Sequence, residues 1–465
     1  MDTHTGDNQW ETAAAIFNGL PRGAQGELYT RSIRSTSVRF ANSQFEGTSQ
    51  SRNRTITLRV ILDGRLSAAT TSEPGESAAM ELVEKALRAV KYGTAVGYDF
   101  PGAAPVAQIP LSDPRVPATR LEEMVAIGRD FLGTLLAAER RLRASAGIEA
   151  EEVEVSLVNT AGFAGSYRKT AWHAGCGGQL IQGDDFLRVG ESRNAAGPDL
   201  DYEDMKKEAL RELEWARETV PFGAGSYPVI FAPSQVGFLV TPFLASLNGK
   251  AIARGISPWK EKLAPSTGAG GGAGGAERLL DPRVTLVDDG TLPMTITSAP
   301  FDREGVPTRR NILIDGGVPV GALLDLQTAK ELGRSSTGNA TAAGTGAGPH
   351  RVLLAPGETP LAEMVAGIDH GLLVLGSMGA WTGNAYSGNV SGTISLGLRI
   401  EGGKVAGRVK NCMFSLNAFT HFRDHLAGLS RETKDASAGG PGMGGGGGGA
   451  TFPYVALDNV VITTK

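Results

Sequence analysis

Apolar residues recur every three or four positions in three segments of the first half of the chain, which is the spacing of one face of an α-helix. Residues 76–92 predict the first of these helices, and residues 201–218 predict the third. The second is predicted to begin at Thr119, because Thr119 and Glu122 form a capping-box pattern ahead of an apolar-periodic run. The first half of the chain is therefore expected to contain three amphipathic helices.

A different pattern predicts strands. Apolar and polar residues alternate over residues 55–62 and 152–158, as they do in a strand with one buried face. From Tyr227 onward, short apolar runs are separated by glycine-rich turns, and long helical patterns are few. We therefore predict an α+β fold in which an N-terminal α/β domain, residues 1–221, is followed by a strand-rich C-terminal domain, residues 222–465.

Two stretches consist largely of glycine, residues 268–276 and residues 439–450. Glycine at this density buries little apolar surface and fixes its backbone only at a high entropic cost, so we predict flexible loops inside the C-terminal domain. A phosphate-binding loop would need a strand before it and a helix after it, and neither stretch shows this context.

The composition fits a globular protein of two or three domains, with 465 residues that are 41% hydrophobic and 20% charged. The 45 basic and 49 acidic residues are mixed along the chain, so the sequence shows no charge footprint of a nucleic-acid-binding protein. No run of apolar residues is long enough to predict a membrane span, and no signal-peptide pattern is visible. We expect a cytoplasmic protein with no nucleic-acid or membrane partner.

Cysteine and histidine offer few metal ligands. Cys176 and Cys412 are too few for a disulfide framework or a cysteine-built zinc site. We expect Cys412 to be a packed core thiol, and Cys176 to lie with His173 in a loop. Only His421 and His425 have the one-face helical spacing of a metal-binding pair. A solvated pair without metal is the favoured alternative, because a phenylalanine follows the first histidine and no third ligand is evident.

Nine short segments follow one another along the chain. They are NTAGFAGSYR, PVIFAPSQVGFLVTPFLASLNGKAIARGIS, VTLVDDGTLP, FDREGVPTRRNILIDGGV, LQTAKELGRSSTGNA, LLAPGETPL, GLLVLGSMG, the IEGGKV turn and FPYVALDNVVIT. In this order they are similar to the TldD/PmbA family, over roughly residues 30–465. Each segment alone is weakly specific, but nine in family order leave little room for coincidence.

The resemblance implies a heterodimeric peptidase that acts on unfolded peptides. In such an enzyme a TldD-type subunit binds a metal, expected to be zinc, through a His-Glu-x-x-x-His helix and a later cysteine. The TldE-type partner helps to enclose the substrate. The resemblance therefore implies a peptide substrate and a second, different chain.

The metal-ligand positions of that family have other residues here. Aligned on LASLNGK, the two histidine positions fall on Val240 and Ala245, and the glutamate position falls on Thr241. Pro242 is expected to interrupt the helix at this point. The later cysteine position falls within residues 439–449, which contain no cysteine. The resemblance thus indicates the TldE/PmbA branch, with no metal in this chain.

Two segments are candidates for substrate binding. The first contains Asp302, Glu304, Arg309 and Arg310. Paired carboxylates can act in acid–base chemistry when burial or repulsion moves a pKa towards neutrality, and an arginine can bind a peptide carboxylate. The alternative is a turn closed by salt bridges.

The second candidate segment is RSSTGNA, which follows a short predicted helix that Gly333 would end. Its Ser336, Thr337 and Asn339 could hydrogen-bond an extended peptide backbone. A loop that satisfies its own turn is the alternative.

Three functions remain open at this point. The first is a catalytically silent TldE/PmbA-like subunit of a TldD/TldE-type metallopeptidase. The second is an enzyme in its own right, through His421 and His425 or through a reaction that reuses the fold. The third is a regulatory binding protein, for which the gyrase-modulator role attached to PmbA-type proteins is an example.

Overall fold

The computed structural model describes residues 13–73, 75–183, 185–263, 277–341, 346–380, 383–438 and 448–464. The predicted loop at 268–276 lies outside these ranges, as do residues 439–447 of the second predicted loop. Residues 448–450 of that loop belong instead to a β-strand. Among the described residues, no helix combines the length and the apolar character needed to cross a membrane.

The first part of the chain forms a seven-stranded sheet with helices on one face. The strand order is β4-β3-β2-β1-β5-β6-β7, and all pairs are antiparallel. The strands are β1 (Gln25–Ala41), β2 (Gln44–Leu62), β3 (Arg65–Thr71), β4 (Thr94–Ala95), β5 (Arg143–Asn159), β6 (Ala164–Gln182) and β7 (Asp185–Ala195). The helices are α1 (13–18), α2 (Glu76–Ala89), α3 (Arg115–Ala118), α4 (Leu121–Ala138) and α5 (Tyr202–Trp215).

The three predicted helices correspond to α2, α4 and α5, but the predicted cap of α4 is wrong. Arg120 is the N-cap of α4 and makes no side-chain cap hydrogen bond. Thr119 instead ends α3, where its hydroxyl donates to the Arg115 carbonyl at 2.8 Å. The short helix before α4 was not predicted, and it uses the threonine that the capping box required.

The predicted strands are confirmed within much longer ones, β2 and β5. The prediction that His173 and Cys176 lie in a loop is wrong, because both belong to β6. Trp172, Ala174 and Cys176 alternate towards the helix-covered face and are buried there. Ala174 and Cys176 are small, which lets the helices pack closely on β6. Burial raises the pKa of the Cys176 thiol to about 11.

The rest of the chain forms an eleven-stranded sheet with short helices. The strands are β8 (Gly225–Phe231), β9 (Leu286–Asp289), β10 (Arg310–Asp315), β11 (Val318–Pro319), β12 (Arg351–Leu354), β13 (His370–Met378), β14 (Asn389–Glu401), β15 (Lys404–Val409), β16 (Cys412–Asn417), β17 (Leu426–Ala438) and β18 (Gly448–Thr464). The helices are α6 (Pro233–Ser246), α7 (Gly249–Ala253), α8 (Leu326–Glu331), α9 (Leu361–Ala366) and α10 (Ala418–Asp424).

Five strands of this sheet close into a ring. β8 pairs with both β13 and β18, and the remaining pairs run from β13 through β14 and β16 to β18. α6 packs against this ring with most of its residues buried. An α-helix that is apolar on all sides is stable only inside a core, and α6 occupies that place. Cys412 is a buried thiol of the same core, as predicted.

Pro242 lies within α6 without interrupting it, so the predicted break is wrong. A proline removes one backbone donor, and surrounding packing can still hold the helix together. Two neighbouring hydroxyls also return hydrogen bonds to the helix backbone. Thr241 donates to the Gly237 carbonyl at 2.8 Å, and Ser246 donates to the Pro242 carbonyl at 2.7 Å.

The mixed, strand-rich fold class is confirmed. The proposed division after residue 221 stays a prediction. It lies in the irregular connection between α5 and β8.

Candidate functional site

A buried ion cluster joins the first sheet to the C-terminal part of the chain. Glu27 on β1 accepts hydrogen bonds from Arg59 on β2 at 2.8 and 2.7 Å, and a further one from Arg303. All three side chains are almost fully buried. Burial alone would raise the pKa of Glu27, but the two guanidinium groups outweigh it and hold that pKa below its usual value. The cluster therefore holds segment 301–310 against the sheet.

Asp302 and Glu304 flank Arg303 and are also buried. The Asp302 carboxylate accepts from the backbone N–H groups of Glu304, Val306 and Ala340, which closes the turn. Burial raises the pKa of Asp302 to about 6 and that of Glu304 to about 8. Arg59 lies 3.7 Å from the Glu304 carboxylate, beyond hydrogen-bond distance, and offsets only part of this rise.

The second candidate segment packs beside the first. Ser336 Oγ donates to the Leu324 carbonyl at 3.1 Å, and Thr337 Oγ1 accepts from the Leu324 N–H at 2.8 Å. The Asn339 amide donates to the buried Asp288 carboxylate at 2.6 Å. These contacts favour the alternative that residues 334–340 form a loop whose polar side chains bind neighbouring protein groups.

Arg309 and Arg310 are the exposed members of the predicted set. Arg309 donates to the Ser336 carbonyl at 2.7 Å, which ties the two segments together, and Arg310 lies 3.9 Å from Asp289. The structure thus brings the predicted residues together mainly as a buried network. Their role in substrate binding stays a prediction, and Arg309 and Arg310 are its accessible part.

His421 and His425 stand at the end of α10 with ring centroids 5.3 Å apart. The two ring nitrogens of His421 face the Asn417 and Asn459 carbonyls at 2.9 and 3.3 Å. His425 Nδ1 lies 3.2 Å from the Asn459 amide nitrogen. Within the described ranges, no group of three or more histidine, cysteine or acidic residues is arranged to hold a metal ion.

The three aligned ligand positions of α6 are packed as helix core. Val240 and Ala245 are buried among apolar side chains, and the Thr241 hydroxyl is bound to its own helix. None of the three side chains offers the imidazole or carboxylate that a metal-bound water mechanism requires. These residues therefore do not fit a catalytic zinc.

A cleft lies between the two sheets. Lobe one, with a volume of 740 Å³, lies between the face of β5–β7 and residues 375–376 and 395–396 of the ring. Lobe two, with a volume of 620 Å³, lies between residues 190–195 of β7, the start of α6, and β17. Both lobes are lined by Glu191 and Glu212, so they form one continuous inter-sheet cleft.

Charged side chains crowd the junction of the two lobes. Lys434 on β17 contacts Glu208 at 2.7 Å and Glu191 at 3.6 Å, and thereby links the two halves of the chain. Glu212 on α5 accepts a hydrogen bond from the Gly190 N–H at 3.0 Å. Burial raises the pKa of Glu212 to about 7, against the opposing effect of that hydrogen bond. Glu212 is thus a carboxyl group that titrates near neutrality inside a cleft, an arrangement typical of functional sites.

This cleft was not predicted from the sequence. Its lining comes from strands and helices that are far apart in the chain, and no single segment carries a motif. A local signal was the glycine-rich run GCGG at 175–178, which is typical of a strand that another group approaches closely.

Two family models match the chain. "PmbA/TldA metallopeptidase domain 1" matches residues 26–90, and "PmbA/TldA metallopeptidase C-terminal domain" matches residues 224–464. A metalloprotease from Methanothermobacter thermautotrophicus is 24% identical over 413 residues, which are 83% of this chain and 83% of that protein.

Two further relatives match over shorter stretches. An uncharacterized protein from Methanocaldococcus jannaschii and a metalloprotease TldD homolog from Buchnera aphidicola are each 24% identical, over 48% and 49% of this chain. The chain spans about half the length of both relatives, 51% and 49%.

Solved structures share the fold at low sequence identity. TldE from Thermococcus kodakarensis has a TM-score of 0.84 at 21% identity, covering 98% of this chain and 100% of that one. A putative modulator of a DNA gyrase from Thermotoga maritima has a TM-score of 0.83 at 20% identity, covering 98% and 99%.

Replacing Glu27 with glutamine is expected to destabilise the protein, because Arg59 and Arg303 would stay buried without their carboxylate. We expect the free energy of unfolding in a guanidinium titration to fall by about 3–5 kcal/mol. The matched control is Glu81→Gln, which removes an exposed pair with Lys85. A loss below about 1 kcal/mol for Glu27→Gln, no larger than for a surface pair, would contradict a stabilising role of the buried ion cluster.

Glu212→Gln is expected to stabilise the protein in a pH-dependent way. The folded pKa near 7 lies above the usual 4.5, so the folded state holds the proton more tightly. Stability is therefore lost as pH rises from about 4.5 to about 7, and glutamine removes this loss.

We expect the melting temperature of Glu212→Gln to exceed that of the wild type by about 2 °C or more at pH 8, and to match it at about pH 4, below the unfolded pKa. Glu214→Gln, an exposed change on the same helix, controls for surface charge. Equal shifts at both pH values would argue against a buried titrating carboxyl group.

Proposed function

The chain belongs to the PmbA/TldA metallopeptidase family, and we propose that it is a subunit of such an enzyme that binds no catalytic metal. In this proposal it resembles the TldE type. It pairs with a metal-binding TldD-type chain and helps to bind and enclose unfolded peptides that the partner cleaves.

The observation that carries the proposal is the state of α6. The helix is present and complete, so the family scaffold is kept, yet its aligned ligand positions are Val240, Thr241 and Ala245. Two of these side chains are buried hydrocarbon, and the third bonds to its own helix. Zinc hydrolysis needs nitrogen, sulfur or carboxylate ligands and a base, and this helix supplies neither. We place the zinc in the partner.

The inter-sheet cleft supports a role in peptide binding. β7 is an edge strand of the first sheet, and its residues 190–195 line lobe two. An edge strand can accept an extended peptide through main-chain hydrogen bonds, which favours unfolded chains of many sequences. Lobe two also reaches Ala232 and Pro233 at the start of α6. The cleft therefore runs from the sheet edge to the helix that carries the metal in TldD-type chains.

The stand-alone alternative rests on His421 and His425. Both nitrogens of His421 face backbone carbonyls, and the second histidine caps α10 beside an asparagine amide. This arrangement explains the pair as structure at the end of a helix, and it favours the subunit proposal.

We expect a quenched-fluorescence unfolded peptide to be cleaved by an equimolar mixture of this chain and a TldD-type chain of the same organism, and by neither chain alone. The reason is that the metal and the complete enclosure come from different chains. Pre-treating the mixture with a zinc chelator should abolish cleavage.

The control is a His421→Ala/His425→Ala variant, which should support cleavage in the mixture as well as the wild type does. Cleavage by this chain alone would refute the proposal. So would tight binding of a client protein with no cleavage in any mixture, which points to a regulatory binding protein instead.

A further inference from the structure

Lobe one lies on the face of the first sheet that the helices leave uncovered. Its floor follows the register of three strands. One cross-strand row contains Arg143, Gln179 and Arg188, and a second row, four residue pairs further along the strands, contains Gly147, Gly175 and Ser192. The opposite wall is formed by residues of β13 and β14, including Leu375 and Leu396.

Arg143 and Arg188 carry the unbalanced charge of this lobe. Both are exposed at its rim and line the cavity. In the described part of the chain, neither makes an ion pair or a side-chain hydrogen bond. Gln179 stands between them, so the two guanidinium groups emerge from strands that lie roughly 10 Å apart.

The other charged groups that face lobe one are already partnered. Arg39 is bound to Glu46 at 2.9 Å, and Glu191 is bound to Arg193 at 3.2 Å and to Lys434. Glu212 accepts from a backbone N–H, and its pKa near 7 reduces its negative charge. The field in the lobe therefore favours an anion close to the two arginines.

Gly147 leaves one end of the floor open. It lies within β5, its φ is not in the left-handed region, and a Cβ atom there would meet no other atom within 4 Å. Neither packing nor backbone conformation requires glycine at this position. Gly177 is different, because a Cβ there would lie 2.4 Å from the Val189 carbonyl oxygen. Glycine inside a strand often marks a place where a ligand or another backbone approaches closely.

We propose that lobe one binds the carboxylate of an extended peptide. Arg143 and Arg188 hold the carboxylate, and the peptide main chain passes over Gly147 towards β7 and lobe two. Guanidinium groups match carboxylates through paired, charge-assisted hydrogen bonds, so the site selects acidic peptides or peptide C-termini. The inference deepens the proposed function, and it rests on that function only for the fate of the peptide, because binding itself needs no partner chain.

A peptide fits the lobe better than a nucleic acid does. Lobe one has Leu375 and Leu396 in its wall from β13 and β14, and it continues to β7, an edge strand of the first sheet. Nucleic-acid sites follow a backbone with many basic groups, whereas this lobe presents two free ones.

The test is fluorescence anisotropy at low ionic strength, with a labelled unstructured peptide that ends in three glutamates and a free carboxylate. We expect Arg143→Gln/Arg188→Gln to weaken binding by at least about tenfold. Arg22→Gln/Arg52→Gln, which removes the same charge from exposed sites outside the cleft, should bind like the wild type.

Gly147→Leu should weaken binding to a similar degree and leave the melting temperature unchanged, because the new side chain projects into the cleft. If it does not fold, Gly147→Ala supplies the steric comparison. An amidated peptide and a peptide with glutamines in place of glutamates distinguish a C-terminal carboxylate from acidic side chains, since only the loss of the true ligand weakens binding.

Wild-type affinity in both cleft variants would overturn the inference, as would an equal loss in the Arg22/Arg52 control. Competition by a single-stranded oligonucleotide at equal charge would overturn it in favour of a nucleic acid. If the two-chain mixture cleaves peptides while the cleft variants bind normally, this inference fails and the proposed function stands. If the variants lose binding but no mixture cleaves, the proposed function fails and the site stands.

Discussion

The buried Glu27 carboxylate is the constraint on which the arrangement of the two halves depends. It is bound by an arginine of its own sheet and by Arg303, which lies 276 positions further along the chain. A charge taken out of water at this depth costs several kcal/mol unless it is fully paired, so the three groups stabilise one relative placement of the sheets and penalise others. The inter-sheet cleft lies along β7, between the same two sheets.

The same placement explains why the charged residues of segment 301–310 resemble a functional site in the sequence, although several of them are buried in the structure. Asp302 and Glu304 have pKa values raised by burial, which is a common sign of catalysis. Here the hydrogen bonds of Asp302 close a turn, and Glu304 accepts from the Leu326 N–H at the start of α8. Glu212 has a similar shift, but it lines an open cleft. A ligand can therefore reach Glu212, whereas Asp302 and Glu304 are buried inside the protein.

Much of the fold follows from local pattern. α2 and α5 have clear apolar stripes, and the sequence places them well. The long strands were only partly recognised, because β6 alternates small residues and glycines that do not resemble a strand, although Ala174 and Cys176 face the helices. The predicted cap of α4 was wrong because Thr119 ends the preceding helix. The predicted break at Pro242 was wrong because the packing around α6 holds the helix together.

The cleft could not be predicted from the sequence, for a different reason. Whether an acidic side chain is buried, or an arginine unpaired, depends on partners that the fold brings from distant parts of the chain. Arg143 and Arg188 are ordinary surface residues in sequence, and their alignment across β5, β6 and β7 appears only with the strand register. By contrast, the substituted ligand positions of α6 could be read from the sequence, because they rest on residue identity alone.

The absence of a catalytic metal from this chain can be tested by its zinc content, measured by inductively coupled plasma mass spectrometry on the chain purified alone and then as a complex with a TldD-type chain. We expect far less than one zinc atom per chain in the lone protein and one per pair in the complex. One tightly held zinc in the lone chain, lost on His421→Ala, would contradict it.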